Sequence, residues 1–322
     1  MVYTISEESK VTVFQSAFAG GAAGSITRAI AQPLDVLKIR FQLQLEPIKH
    51  GLNSKYSSVF QAASSIIKEE GITTLWSGHI PAQFLSISYG VVQFSIFEKL
   101  TQTCEQTDPT FYMHNKHCIN FTNGSVAATI ATMVSFPFDT IRTRLIAEQK
   151  SNKVYKGFVN AFATMLRIEG VKSLYKGLVP TLGQIAPHAG MQFAVYKLFT
   201  DNILNRITYF QRQSVSGTVE STLLANLLAG STAGFAAKTA IYPFDLVKKR
   251  LQIQGFQEHR KGFGKQMYCK GLFHCVHLTV VEEGFLALYK GYLPSTYKAI
   301  LVSALHFAVY DEVKHFFLQV HR

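Results

Sequence analysis

Charge is scarce in this 322-residue chain: Asp, Glu, Lys and Arg make up only 16% of it, against roughly 25% in an average soluble domain. An ordinary soluble enzyme with so few charges would leave much apolar surface in water. Disorder is excluded as well, because it needs low hydrophobicity with high charge and the chain is 48% hydrophobic. Cysteine is sparse. Cys104, Cys118, Cys269 and Cys275 show no CxxC spacing and no paired histidines, so neither a disulfide framework nor a zinc site is indicated. No Walker loop, GxGxxG or Ser/His/Asp pattern is recognisable, so no enzymatic reaction, metal or cofactor is implied. The first ten residues contain Glu7 and Glu8 but no arginine and no apolar run, unlike a cleaved presequence.

What the chain does have is basic charge, +12 from 32 Lys and Arg against 20 Asp and Glu. Such an excess suits nucleic acid, a membrane surface or an anionic small molecule. A nucleic-acid binder would cluster its cations on a solvent face among aromatics. Here they recur in a repeated motif and inside apolar runs, so no nucleic-acid partner is expected.

The motif P-x-D-x-x-K/R-x-K/R occurs three times at nearly equal spacing: Pro33 to Arg40, Pro137 to Arg144 and Pro243 to Arg250. Each is followed by E-G-x4-aromatic-x-G: Glu70-Gly71 with Trp76 and Gly78, Glu169-Gly170 with Tyr175 and Gly177, Glu283-Gly284 with Tyr289 and Gly291. A fixed period of this kind marks a triplicated unit, with repeats at 1–110, 111–215 and 216–322. The glycine after each acidic helix end reads as a left-handed cap. In each unit an apolar stretch of about 20 residues, enough to span a bilayer as helix, precedes the proline, and another follows the aromatic-x-Gly. Phe14 to Ala31 and Pro81 to Phe97 are examples. A shorter amphipathic stretch such as Ser57 to Lys68 suits an interfacial helix. The expected fold is an all-α membrane protein with six transmembrane helices in three pseudo-symmetric repeats around a central cavity, and short amphipathic helices at one face.

Arg28, Lys238 and Lys298 interrupt three of the spans. An ionised group facing lipid is costly, so these three are expected to face a polar interior. Gly20 and Gly24, Gly124 and Ala128, and Gly230 and Gly234 have the small-xxx-small spacing that lets helices approach closely. Arginine offers a planar fork to phosphate oxygens and lysine a point charge, so the cations suit a pyrophosphate group.

By these motifs, over essentially its whole length, the chain resembles the mitochondrial carrier family. The resemblance implies a multi-pass protein of the mitochondrial inner membrane that works by antiport through alternating access, with no cleaved targeting sequence. It implies a matrix gate of three interhelical pairs, Asp35–Arg142, Asp139–Lys248 and Asp245–Lys38, braced by Gln42 and Gln252; Ile146 takes the third brace position. It implies substrate contacts seven residues past each aromatic-x-Gly, at Leu85, Gln184 (with Ile185) and Lys298. Tyr89, His188 and Val302, then Gln93, Gln192 and His306, follow on the same helix faces. The family's second gate, F/Y-D/E-x-x-K/R, is complete only at Tyr310 to Lys314; Phe97-Glu98 lacks its cation and Tyr196 lacks both charges. One cytoplasmic-side pair, Glu98–Lys314, is therefore expected, with Tyr196 and Tyr310 beside it. The implied partners are a phosphorylated small molecule and membrane lipid, cardiolipin, at the E-G and aromatic-x-Gly helix ends, in a monomer. Nucleotides or coenzyme A are alternative ligands of the same class.

Overall fold

The computed structural model describes residues 13–44, 55–149, 153–199, 219–255, 268–302 and 305. All regular structure among them is helical, and one path is traced three times. In the first repeat a long helix α1 (Val13–Leu43) leads to a short α2 (Val59–Glu70), a 3-10 turn (Ile72–Trp76) and a second long helix α3 (His79–Thr107). The second repeat runs α4 (Pro109–Ala147), α5 (Phe158–Ile168), a turn (Val171–Tyr175), α6 (Leu178–Gly183) and α7 (Ile185–Phe199). The third runs α8 (Val219–Gln252), α9 (Leu272–Glu283), a turn (Phe285–Tyr289) and α10, residues 292–302. The third copy of the F/Y-D/E-x-x-K/R motif lies outside the described residues.

Each motif proline (Pro33, Pro137, Pro243) sits inside its long helix. There it withholds a backbone donor from the ladder. Helix starts follow local chemistry. Asp108 caps α4 by accepting from the Phe111 amide at 3.0 Å, with Pro109 as the first helical residue, a position where its missing N–H is not needed. Ser58 caps α2 by accepting from Gln61 at 3.2 Å. The repeated glycines fall into two backbone classes. Gly78 and Gly177 are left-handed. The E-G glycines are not: Gly71 (φ 88, ψ 160), Gly170 (φ 75, ψ 175) and Gly284 (φ 88, ψ 164) lie in an extended region that is essentially glycine-only. The expected left-handed cap is thus corrected to an extended turn, which lets the chain enter the 3-10 segment at once.

Close packing is concentrated at one end of the molecule. Each repeat has a small core where its long helix meets its short one: Leu37, Phe41, Tyr56 and Ile66; Ile141, Tyr155 and Met165; Leu246, Val247 and Cys275. A fourth cluster, Val36, Ile39, Leu43, Ile146, Ala147 and Ile253, joins all three. Away from that end the apolar side chains point outward: Ile26 and Ile30 on α1, Ile87, Val91 and Phe94 on α3, Phe193 on α7 and Phe235 on α8 are exposed. An apolar belt of this extent is a surface for lipid. Among the described residues, composition alone picks out one stretch, residues 72–107, as long and apolar enough to cross a bilayer; residues 285–302 qualify only when joined to α9 across a sharp bend. In the proline-bearing helices the charges of the motif dilute the apolar run.

The small-xxx-small expectation is corrected too. A Cβ placed on Gly24, Gly230 or Gly234 would meet nothing within 4 Å, and one on Gly124 only the Phe97 ring at 4.0 Å. The tight approaches are instead at the aromatic-x-Gly glycines. A Cβ on Gly78 would lie 3.0 Å from the Arg142 carbonyl oxygen, on Gly177 2.9 Å from that of Lys248, and on Gly291 2.8 Å from that of Lys38. In every repeat the helix that follows the aromatic-x-Gly therefore starts against the backbone of the neighbouring repeat's motif cation.

Candidate functional site

Two residues past each motif proline stands a carboxylate that meets a cation of another repeat. Asp35 pairs with Arg142, Asp139 with Lys248 at 2.8 Å and Asp245 with Lys38 at 2.6 Å. An acid and a base three residues apart could pair within their own helix; here every acid faces a base of another repeat instead. Gln42 donates to Asp245 at 3.2 Å and to the Tyr242 hydroxyl at 3.1 Å; Gln252 donates to Asp139 at 2.8 Å. Ile146 contributes to the apolar junction instead.

Two further cations join this ring. Lys249, at the position of Ile39 and Thr143 in the other repeats, bonds both Asp139 oxygens at 3.0 and 3.1 Å, Thr143 at 2.9 Å and Gln252 at 3.0 Å. Lys298 reaches Asp35 at 2.6 Å. Sequence reasoning assigned no role to Lys249 and placed Lys298 among substrate contacts alone.

An outer ring also escaped the sequence reading. The last arginine of each motif is buried and bound to the glutamate of its own E-G: Arg40 to Glu70, Arg144 to Glu169 and Arg250 to Glu283. Each also donates to carbonyls of the next repeat: Arg40 to Ile146 and Glu148, Arg144 to Gln252 and Gln254, Arg250 to Gln42. A guanidinium with five fixed donors can hold a carboxylate and two carbonyls at once, and Lys176 and Lys290 repeat the theme on Gln254 and Gln44. Burial raises the Glu169 carboxyl, but Arg144 and Lys176 outweigh it and hold the group below the ordinary carboxylate range. Both residues recur in all three copies, but in different motifs, so their spacing did not pair them.

Above the rings lie the cations five residues before the prolines. Arg28 donates to the Ala82 carbonyl at 2.9 Å and Lys238 to the Ser295 carbonyl at 2.7 Å. Ala82 and Ser295 occupy the same offset from Gly78 and Gly291, so the two bonds are copies of one another. Thr132 stands in the third place and turns its hydroxyl to Ala128. A cavity of about 340 Å³ opens here, lined by Arg28, Leu85, Ser86, Tyr89, Thr132, Ser135, Phe136, Asp139, Thr181 and Lys248. Leu85, Tyr89, Gln93, Gln184 and Ile185 are half-buried, and His188 is exposed. Gln184 is the single residue between α6 and α7, where the second repeat's even helix is interrupted. Sequence reasoning missed Ser86, Ser135, Phe136 and Thr181, which bear no charge and no repeat signal.

At the far end Glu98 is exposed and accepts from Gln102 at 3.3 Å. Tyr196 is also exposed. His306, Tyr310 and Lys314 lie outside the described residues, and with Lys314 goes the expected partner of Glu98.

Three copies of a helix–turn–helix unit, locked at one end by a cyclic ring of ion pairs beneath a basic cavity, define a solute carrier. The chain belongs to the mitochondrial carrier family: the family described as "Mitochondrial carrier protein" matches residues 9–107, 114–206 and 219–321. It is accordingly a multi-pass transport protein of the mitochondrial inner membrane. Among its relatives, the mitochondrial thiamine pyrophosphate carrier of Macaca fascicularis is 43% identical over 301 residues, covering 93% of this chain and 91% of the relative. The Homo sapiens protein of the same name is 41% identical over 302 residues, with 93% and 91% covered. The mitochondrial thiamine diphosphate carrier 1 of Zea mays is 37% identical over 309 residues, with 92% and 91% covered. These relatives are named as transporters.

Proposed function

We propose that this carrier imports thiamine pyrophosphate across the inner membrane by alternating-access exchange, with a nucleotide as counter-substrate. The observation that carries the reading is a cavity lined by Arg28 and Lys248 that reaches a closed ring of acid–base pairs, with Lys298 bound to a carboxylate of that ring. A diphosphate entering it meets the Arg28 fork and the Lys248 ammonium, with Lys238 and Lys298 as the further cations proposed to reach it, and such groups suit its oxygens. Tyr89, Phe136 and Leu85 offer apolar walls for a heteroaromatic ring, and Ser86, Thr181 and Gln184 add placed polar groups that fix orientation.

The cycle follows from the ring. With Asp35, Asp139 and Asp245 paired, the matrix side is shut. A ligand shifts a conformational equilibrium only through differential affinity for its states, so substrate neutralising the three cations must offset rupture of the pairs. Each pair has to part without stranding a buried charge, which an empty carrier cannot arrange. Exchange rather than leak is the consequence. Proteoliposomes loaded with a panel of nucleotides should take up labelled thiamine pyrophosphate only when loaded. Uptake into empty vesicles, or none into any, overturns the assignment. A nucleotide or coenzyme A taken up in place of thiamine pyrophosphate supports the alternative ligand class on the same site.

Anionic membrane lipid is the proposed second partner of a monomeric carrier. Cavities of about 570 and 500 Å³ lie at two seams between repeats. Each is bounded by an aromatic-x-Gly helix start (Gly78, Gly177) and the short-helix start of the next repeat (Gly157, Gly271). None of these four helix starts has a side-chain cap, so free amides and Lys156 or Lys270 face an incoming phosphate.

A further inference from the structure

The three matrix-side pairs are not equivalent. Asp245 and Asp139 take their cations from the tripled motif, Lys38 for the first, Lys248 with its neighbour Lys249 for the second. Asp35 takes Arg142 from the motif and a second cation from outside it, Lys298 on α10. The counterparts of Lys298 in the other repeats are Leu85 and Gln184, which carry no charge. Lys298 keeps 32% of its side-chain surface accessible while Asp35 keeps 7%. One ammonium thus stays partly accessible while it holds a carboxylate that is otherwise sealed. Its Nζ lies on Asp35 Oδ1, while Arg142 binds the opposite oxygen, Oδ2, and reaches Gln32 at 3.4 Å.

We propose that Lys298 is a relay from substrate to gate: in the empty carrier it is held by Asp35, and an entering diphosphate draws it off, leaving Asp35 with Arg142 alone. The seam between repeats 1 and 2 is then the first to loosen, because the Asp139 site keeps Lys248, Lys249 and Gln252 throughout. This rests on the transport reading above and names the residue through which ligand at that site reaches the gate. Since one ammonium cannot serve both anions fully, Asp35 and the diphosphate compete for it. Substrate therefore binds less tightly than its contacts alone would give, and the difference is what moves the gate.

The test uses the purified full chain, with inorganic diphosphate and thiamine pyrophosphate as separate probes, read by calorimetry and by exchange in liposomes. Asp35→Asn releases Lys298 and should tighten diphosphate binding about tenfold, a size typical of coupled sites. Asp245→Asn breaks a pair that does not touch Lys298 and should change binding by less than about threefold, as sites without shared partners do. The gain should vanish in Asp35→Asn with Lys298→Gln. Equal changes in the two single variants, or a gain that survives in the double variant, overturn the relay. Where Asp35→Asn does not fold, Asp35→Glu replaces it; that variant pushes the carboxylate further toward Lys298 and should weaken binding, and unchanged binding overturns the proposal. A gain seen with diphosphate but no uptake of thiamine pyrophosphate removes the substrate assignment and leaves the relay. Uptake intact without the gain does the reverse.

Discussion

Among single residues, the contrast that matters is between charges that are enclosed and charges that are not. Asp139 is 6% exposed and bound by two lysines and a glutamine. Removing one partner of such a set leaves the others uncompensated, at a cost of roughly 3–5 kcal/mol. Glu98 is exposed, and an exposed ion pair contributes little. Asp139→Ala should therefore lower exchange rate and melting temperature far more than Glu98→Ala; equal losses would remove the matrix ring as the controlling gate. Glu169 gives a pH test. Its folded pKa is depressed by Arg144 and Lys176 against the opposing pull of burial. Its stabilisation is then complete above the ordinary carboxylate pKa and fades as pH falls through the folded value. Below about pH 4–5 the melting temperature of the wild type should fall more steeply than that of Glu169→Gln; parallel curves would count against the depression.

At the scale of elements, the close backbone approaches between repeats are at the aromatic-x-Gly glycines rather than at Gly24, Gly230 or Gly234 within the spans. Gly177 combines φ +90 with a backbone oxygen 2.9 Å from any added Cβ. Left-handed strain and overpacking should together cost Gly177→Ala roughly 2–4 kcal/mol. Gly183→Ala on the adjoining helix meets nothing within 4 Å and should be neutral or slightly stabilising, since alanine is the better helix former. Thermal denaturation of the two variants in one detergent separates them, and similar melting temperatures would mean that the contact carries no load. The repeated acid-before-base order showed in the sequence that six groups of this kind recur on three helices, but the pairing Asp35–Arg142, Asp139–Lys248 and Asp245–Lys38 came from the family resemblance, because pairs within each helix would serve the six groups equally. The bond of Arg144 to Glu169 was not legible, because its partners belong to different motifs and only the short matrix helix brings them together.

For the molecule as a whole, firm packing at one end and an exposed apolar surface over the rest make lipid part of the structure. Stripping lipid from the purified carrier should lower its melting temperature, and returning cardiolipin should restore it by several degrees, as a ligand that binds only the folded form does. Lys156→Glu with Lys270→Glu should blunt that recovery; full recovery would move the lipid elsewhere. Sequence alone determined the triplication, the helical spans and the sign of the interior charge, because period, length and composition are properties of the chain itself. It could not determine which carboxylate Lys298 holds, that Arg28 and Lys238 rest on neighbouring carbonyls, or that Gly24 and Gly230 meet nothing. Those depend on how far apart three helices stand once the junction of Ile39, Ile146 and Ile253 is filled. That distance is set by the volume of side chains drawn from all three repeats, which no single motif encodes.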